Sequence, residues 1–581
     1  MKFGVLALDY DGTIAHDGVL APGVREAIRD IRRRGIVVVL VSGRRLPSLR
    51  EAIGDLSAFS AIVAENGAIA YFPRSGRTIV LGAPPPPSLL DALGRRGVAF
   101  EAGVSVLEAD AQTAPTVLDA IRETEQPLAI LFNRGRLMVL PQAISKATGL
   151  RSALAALRLS VHNTVAIGDA ENDHELLRVV ELGVAVGWGS LALQAAADEV
   201  LPGSGPAAVG PFIRSLADLV QLPPSRIGRR ELALGEEADG TPVALAVRGR
   251  NILIVGDPRS GKSWVAGLLC EQLILQSYCV CVIDPEGDYS SLANLPGVVV
   301  FGADGPPHPA ELLRALRHPD VSVVADLCKL PREEKPVWVR AFLRELAALR
   351  RATGLPHRIV VDEAHYFLHS PDAHEVLDLG FGGYTLITHR TAMLHPEVLG
   401  ATEGVISTQE TDPWDLQALA SRVAPGTDPA TFAALFADLP IEEAVLCPGI
   451  EEAGGRARRF RVADRLTPHV RHRRKYLDVA VPDSAAFVFT ENFEPTGQRA
   501  HTLSEFAALL RAISSSALAE HLLRGDFSRW VADVFGDWAL AASIHEIETS
   551  YRAGAIADPG LAIARLIVNR YAPAPPAAHS P

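Results

Sequence analysis

The stretch Asn251–Ser263, NILIVGDPRSGKS, decides how the middle of this chain is built. Its apolar residues Ile252–Val255 make a short buried-strand run. Gly256, Asp257, Pro258, Arg259, Ser260, Gly261, Lys262 and Ser263 follow at once and fill the pattern G-x-x-x-x-G-K-[ST] at every position. Trp264–Leu275 behind them reads as a helix. A strand, a glycine-rich loop and a helix in that order turn backbone N–H groups inward as an anion nest. Lys262 would then reach the outer phosphates of ATP, and the Ser263 hydroxyl would hold Mg²⁺. A glycine turn that fits by chance explains the loop, but not the strand before it or the helix after it.

Three further apolar runs downstream each end in acids. Val280–Ile283 leads into Asp284-Pro285-Glu286-Gly287-Asp288-Tyr289, and Val321–Ala325 into Asp326-Leu327. Arg358–Val361 delivers Asp362-Glu363-Ala364-His365. An acid at the end of such a strand can hold the water shell of Mg²⁺, and a glutamate directly after it can polarise an attacking water. Asp362 and Glu363 therefore read as a hydrolytic pair, not a kinase site. Tyr384–Ile387 ends in Thr388-His389-Arg390, where Thr388 could sense the γ-phosphate; Arg390 could do so too or form a surface salt bridge. Together GDPRSGKS, DPEGDY, VVDEAH and Thr411–Leu416 resemble the HerA/FtsK-type division of P-loop ATPases, over about Arg229–Arg465. That resemblance implies a homo-oligomeric ring, hexameric by analogy, in which an arginine of one subunit enters the next subunit's site. Many such proteins pump DNA, but no β-barrel of the kind the DNA-end-processing members carry is recognisable before this core.

The N-terminal third holds a second set of motifs. Phe3–Leu8 is a strand run that delivers Asp9-Tyr10-Asp11-Gly12-Thr13, two acids on the same side of an extended chain. Val37–Val41 ends in Ser42-Gly43-Arg44, Lys146 stands just before a helix-like segment, and Thr164–Ile167 ends in Gly168-Asp169-Ala170-Glu171-Asn172-Asp173. An acid cluster with one lysine suits a phosphate ester, which carboxylates repel unless a divalent cation and an ammonium neutralise it. In this order the four motifs resemble those of the haloacid dehalogenase superfamily of phosphohydrolases, over about Met1–Ile213. The resemblance makes Asp9 the nucleophile and Asp11 the general acid/base, with Ser42 and Lys146 holding phosphate oxygens. It assigns Mg²⁺ to Asp169, Asp9 and the Asp11 carbonyl, with Asn172 and Asp173 supporting the metal or Lys146. Between the second and third motifs, Pro87–Arg96 and Ala114–Thr124 read as helices, and Val104–Leu107, Leu128–Phe132 and Arg136–Leu140 as extended. This reads as a small α/β cap, similar in position to the C2, or type IIB, branch that includes sugar-phosphate and phosphoglycolate phosphatases.

Composition bounds the rest. A chain of 581 residues allows roughly three to four domains. A net charge of −12 argues against whole-surface attraction to nucleic acid or an anionic membrane. The five cysteines show no C-x-x-C pair, no apolar run approaches about 18 residues, and MKFGVLALDYDG leaves no room for a charged leader. A cytoplasmic protein without a membrane span is expected.

The expected fold is multidomain α/β. A Rossmann-like core with its cap occupies 1–215, the core about 1–70 and 142–215 and the cap about 71–141. A linker at 216–230, a RecA-like P-loop domain at 231–475, a helical bundle at 476–571 and a disordered tail at 572–581 follow. The arginines and lysine between Arg456 and Lys475 read as a solvated interdomain face, with contact to phosphates as the alternative. Leu503–Ile513, Ser516–Leu523, Ser528–Val534, Trp538–Tyr551 and Pro559–Tyr571 carry helical periodicity, and Thr502-Leu503-Ser504-Glu505 is a capping box. His521, Asp526 and Asp537 could form a site there, though caps and surface groups explain them as well. The favoured reading is a bifunctional hydrolase: a Mg²⁺-dependent phosphatase of a small phosphorylated metabolite joined to an ATP-hydrolysing domain. The alternatives are a nucleic-acid machine with an end-trimming phosphatase, and a non-enzymatic assembly protein switched by nucleotide.

Overall fold

Val5–Asp9, the strand that delivers the first acidic motif, pairs in parallel with Val37–Val41 on one side and Thr164–Gly168 on the other, setting Asp9 beside Val41. All five of its side chains are buried, as an apolar run covered on both faces requires. We take the architecture from a computed structural model, which describes residues 3–133, 135–216, 230–247, 250–370, 373–423, 432–436, 438–447, 457–467, 481, 485–535 and 538–571. The expected tail, Asp537, Arg471–Lys475 and nearly all of the expected linker lie outside the described residues.

The first sheet runs Glu199–Leu201, Leu182–Val186, Thr164–Gly168, Val5–Asp9, Val37–Val41, Ala61–Ala64, Ile69–Phe72, Arg77–Val80. The first six strands are parallel, and the last two turn back antiparallel. The cap therefore starts later than the sequence reading placed it, because Tyr71 pairs with Ile62 and extends the core sheet. The cap itself is a four-stranded antiparallel sheet, Leu128–Asn133, Arg136–Pro141, Leu107–Asp110, Phe100–Ala102. The helices Pro87–Arg95 and Ala114–Glu123 cover it through Leu89, Leu93, Val117 and Ile121 packed on Leu137 and Val139.

One expected strand is displaced. Val104–Leu107 reads as extended, yet the strand starts only at Leu107. The buried Glu65 carboxylate, from the core, accepts the amides of Val104, Ser105 and Val106 at 3.0, 2.9 and 3.3 Å, so these residues bond to a side chain in place of a neighbouring strand.

The second sheet has eleven strands: Pro242–Ala246, Glu231–Glu236, Arg458–Val462, Glu443–Cys447, Gly404–Ser407, Ile252–Val255, Tyr384–Thr388, Arg358–Val361, Val280–Asp284, Ser322–Asp326, Val298–Phe301. The seven from Gly404–Ser407 onward are parallel, and the other four form an antiparallel extension. The first of these pairs, Glu231–Glu236 with Pro242–Ala246, is a hairpin whose turn contains Asp239-Gly240. Within the basic stretch, Arg458 pairs with Glu237, Arg459 with Glu443 and the buried Arg465 with Glu271, so these three arginines are engaged inside the domain.

Both sheets belong to one compact unit, Met1–His469; Val470–Pro581 forms a second. In the second unit a hairpin, Phe487–Glu491 with Glu494–Ala500, packs on the helices Leu503–Leu509, Ser515–Arg524, Asp526–Phe535, Trp538–Arg552 and Pro559–Tyr571. Phe487, Phe489, Phe506, Phe527 and Trp530 form its aromatic centre.

Candidate active sites

At the first sheet, three strand ends and a helix start converge. Asp9 ends its strand, Ser42 and Asp169 follow theirs, and Lys146 opens the helix Lys146–Leu157 behind a Ser145–Thr148 capping box. Lys146 Nζ donates to Asp9 Oδ1 at 2.6 Å and to Asp173 Oδ1 at 2.7 Å. Asp173 Oδ2 accepts the backbone N–H groups of Asp169 and Ala170, both at 3.1 Å. The Thr13 hydroxyl lies 3.1 Å from Asp9 Oδ2 and 3.3 Å from Asp169 Oδ1. Asp9, Lys146, Asp169 and Asp173 are each 3% exposed or less.

Buried charge at this density governs the chemistry. Burial, and next the Asp173 charge, push the Asp9 pKa well up, although Lys146 pulls it down. For Lys146 burial works against the charge, but Asp173 and Asp9 outweigh it and hold the ammonium above its usual range. Oxygens of Asp9, Asp169 and Asp173 lie within 4.8 Å of one another, an all-oxygen donor set of the kind a hard cation such as Mg²⁺ takes. Three carboxylates around one ammonium leave negative charge for such an ion to balance. Asp173 already engages both its oxygens, one with Lys146 and one with the backbone, so its position is that of a support for Lys146.

Asp11 is half-exposed at the mouth, where both its oxygens accept from the Arg44 guanidinium, at 2.6 Å from Nε and 2.7 Å from Nη2. The Ser42 hydroxyl, buried, accepts the Arg44 amide at 3.1 Å. Trp188 Nε1 donates to the Gly12 carbonyl at 2.7 Å and fixes the turn between them. The resulting cleft of about 310 Å³ is lined on the cap side by Glu101, Glu108, Arg136 and Met138. Arg45 from the core pairs with Glu101, and Arg136 with Glu108 at 2.8 Å.

At the second sheet the loop Gly256–Gly261 joins Ile252–Val255 to the helix Lys262–Leu275. Gly256, Arg259 and Gly261 all have positive φ. Lys262 Nζ donates to the Gly256 carbonyl at 2.8 Å and the Asp257 carbonyl at 2.7 Å. The segment after the strand Gly404–Ser407 braces the loop: the Asp257 amide donates to Gln409 at 2.7 Å, and the Thr411 hydroxyl to Asp257 Oδ2 at 2.7 Å. Pro258 and Arg259 are exposed, Ser260 is buried with its hydroxyl on the Asp257 carbonyl, and Ser263 is half-buried in the first helical turn.

Asp362 and Glu363 sit at the end of Arg358–Val361, both buried. Glu363 has φ of +50°, a left-handed conformation uncommon for a side-chain-bearing residue and frequent at functional positions. Its carboxylate lies 3.0 Å from His389 Nδ1 and 3.6 Å from His365 Nδ1. Thr388 Oγ1 is 3.1 Å from the same His365 nitrogen and accepts the Arg390 amide at 2.9 Å. Burial lowers the His365 pKa to about 4, so this imidazole is neutral at ordinary pH. Arg390 pairs with Asp412 at 3.3 Å, the surface salt bridge of its two readings. The Asp284 carboxylate accepts the amides of Gly287, Asp288 and Tyr289 and closes the turn it begins.

Residues 6–81 and 107–213 match the family of haloacid dehalogenase-like hydrolases, and residues 233–353 match the central domain of the helicase HerA. The chain joins a haloacid dehalogenase-like domain to a HerA-type domain. Phosphoglycolate phosphatase 2 of Saccharolobus solfataricus is 26% identical over 236 residues, covering 39% of this chain and 90% of that protein. The phosphoglycolate phosphatase of Natronomonas pharaonis is 29% identical, covering 34% of this chain and 91% of its own. Among solved structures, a haloacid dehalogenase-like hydrolase from Bacteroides thetaiotaomicron superposes with a TM-score of 0.34 at 19% identity, over 37% of this chain and all of that one. The HerA match takes in the phosphate loop but stops short of Asp362 and Glu363.

In the haloacid dehalogenase-like domain, sequence reasoning missed the Arg44 fork on Asp11 and the Thr13 bridge between Asp9 and Asp169. In the HerA-type domain it missed His389, 26 positions from Glu363. Each lies within a motif already quoted, so the residue was in view, but Arg44, His389 and, for Asp169, Thr13 meet partners from a different motif. In the second unit His521 is buried between Asp526, 2.8 Å from Nδ1, and the Thr490 amide, which donates to Nε2 at 2.9 Å. Both nitrogens are occupied within the fold, which makes His521 a structural residue. Among the described residues no helix is long and apolar enough to cross a membrane.

Proposed function

We propose that the chain is a two-site hydrolase: a Mg²⁺-dependent phosphatase of a small phosphorylated metabolite, and an ATP-binding, ATP-hydrolysing site in the HerA-type domain. What carries the first part is Lys146 bound between Asp9 and Asp173 beside Asp169, beneath a cap. An oxygen of Asp9 attacks phosphorus as the ester P–O bond breaks, and Asp11 gives its proton to the leaving oxygen. Asp11 then takes a proton from water as that water attacks phosphorus, which breaks the P–O bond to Asp9 and releases phosphate. Mg²⁺, held by Asp9, Asp169 and the Asp11 carbonyl, would neutralise phosphate charge. Lys146 and Ser42 hold the phosphate oxygens. The small cleft and the likeness to phosphoglycolate phosphatases favour a sugar phosphate or phosphoglycolate-class substrate.

In the HerA-type domain Gly256–Ser263 cradle the triphosphate, with Lys262 moving from its own loop's carbonyls onto phosphate oxygens. Ser263 and Asp362 would hold Mg²⁺ there, Glu363 polarises water, and Thr388 contacts the γ-phosphate. A cytoplasmic homo-oligomer, ring-shaped by analogy, belongs to the same reading.

The test is release of inorganic phosphate from ATP and from a panel of sugar phosphates, phosphoglycolate and phosphorylated nucleic-acid ends. Asp9→Asn should reduce release from the small esters to background and leave ATP turnover intact; Lys262→Ala should do the reverse. Cleavage of nucleic-acid ends alone, with DNA stimulating ATP turnover, would overturn the proposal.

A further inference from the structure

The haloacid dehalogenase-like and HerA-type domains meet through a buried polar contact formed at the roots of their catalytic strands. His162 and Asn163 stand immediately before Thr164–Gly168, the strand that leads to Asp169; Glu181 stands immediately before Leu182–Val186. Across the contact, Gln276 follows the helix Lys262–Leu275, and Tyr278 precedes Val280–Asp284. The His162 ring stacks on Tyr278 with centroids 3.7 Å apart, and its Nε2 lies 2.9 Å from the Gln276 carbonyl. Glu181 accepts the Tyr278 hydroxyl at 3.0 Å and lies 3.2 Å from His162 Nδ1 and 3.6 Å from the Arg230 guanidinium. Asn163 Nδ2 donates to the Gly354 carbonyl at 2.9 Å, and the Arg358 guanidinium lies over the Tyr278 ring. His162, Asn163, Glu181 and Tyr278 are each 2% exposed or less.

Such a contact is too specific to be a loose tether. The hydrogen bonds of His162, Asn163 and Glu181 to Gln276, Gly354 and Tyr278 favour one relative placement, since moving either domain would strand those buried groups without partners. The elements behind it lead directly to chemistry. The helix that starts at Lys262 is one rigid rod whose far end carries Gln276, and Thr164–Gly168 runs from His162 to Asp169. Lys262 Nζ donates to the carbonyls of Gly256 and Asp257, so a phosphate bound by the same ammonium would redistribute the contacts at the rod's first turn.

We propose that this junction couples the two sites, so that a nucleoside triphosphate on the Gly256–Ser263 loop changes turnover at Asp9 through the helix Lys262–Leu275, the His162–Tyr278–Glu181 contact and the strand Thr164–Gly168. The inference rests on the two-site reading above. Coupling between sites is reciprocal in binding, so a ligand at Asp9 must change nucleotide affinity by the factor by which nucleotide changes its affinity.

The full chain is assayed for phosphatase kcat and KM with and without a non-hydrolysable ATP analogue, and analogue affinity is measured with and without orthovanadate and Mg²⁺. Lys262→Ala controls for vanadate on the phosphate loop. Wild type should show a change of about fivefold or more in each experiment. Tyr278→Phe, which keeps the stacked ring and loses the hydroxyl on Glu181, and His162→Gln should reduce that change to near unity at unchanged basal rates. Hydrogen exchange over residues 160–168 should respond to the analogue in wild type and not in the variants, a readout independent of activity. Analogue that binds without altering phosphatase kinetics or exchange, or coupling that survives in both variants, overturns the proposal. An Asp9→Asn protein that still releases phosphate, or wild type that binds no analogue, instead overturns the two-site reading and the coupling with it.

Discussion

At Gly67 the backbone has φ of +108°, and a Cβ there would run into the Ser145 carbonyl at the start of the helix that carries Lys146. Gly67→Ala should therefore destabilise the domain by about 2–4 kcal/mol and lower phosphatase kcat, read by chemical denaturation and phosphate release. An unchanged denaturation midpoint would show that the loop does not press on that helix. His357 illustrates a different residue-level cost. It is buried, its Nε2 lies 2.7 Å from the Leu316 carbonyl, and burial lowers its pKa to about 4. A depressed folded pKa means that the unfolded chain binds the proton first. Its contribution to stability is complete above the unfolded value near 6.5 and is lost as pH falls towards 4. At pH 5 this amounts to about 2 kcal/mol, and His357→Gln should show a correspondingly smaller drop in Tm between pH 7 and pH 5. The reactive acids, the lysines and the phosphate loop were legible because chemistry dictates their types and close spacing. Arg44 and His389 were not, since the partners they meet lie 33 and 26 positions away and only strand order brings them together.

Among the elements, the segment Val104–Val106, within the expected strand Val104–Leu107, shows how a side chain can override a local preference. The apolar pattern reads as a strand, and the buried Glu65 carboxylate takes its amides instead. Glu65→Ala should leave those amides without an acceptor, cost about 1–3 kcal/mol in denaturation, and raise KM more than it lowers kcat as the cap loosens. An equal fall in kcat and kcat/KM would place the effect in the chemistry and not in the cap. Thr502, whose hydroxyl accepts the Glu505 amide at 3.0 Å, is the opposite case, a cap visible in sequence and present in structure. Thr502→Ala should lower the stability of the second unit by about 1 kcal/mol, checked by its thermal transition. Parallel strands were legible as short apolar runs ending in motifs. Their order, and the hairpin that carries the core sheet past Phe72, were not, because nothing local states which strand is a neighbour.

For the whole molecule, Val470–Pro581 carries an aromatic core of its own, and every residue placed in either candidate active site lies before it in the chain. A chain ended after His469 should keep both phosphate-releasing activities, each measured on its own substrate; loss of either would assign the second unit a direct part. The junction has a further consequence for traffic. In both sheets the reactive groups stand at the carboxyl ends of parallel strands, while the interdomain contacts are at the opposite ends. The strands behind the contact, Thr164–Gly168 and Val280–Asp284, each span about 16 Å, so the reactive ends of the two sheets stand a strand's length from the contact on either side. On the two-site reading, phosphate released at either end should therefore pass through bulk solvent, and an added trap for free phosphate should intercept both outputs equally.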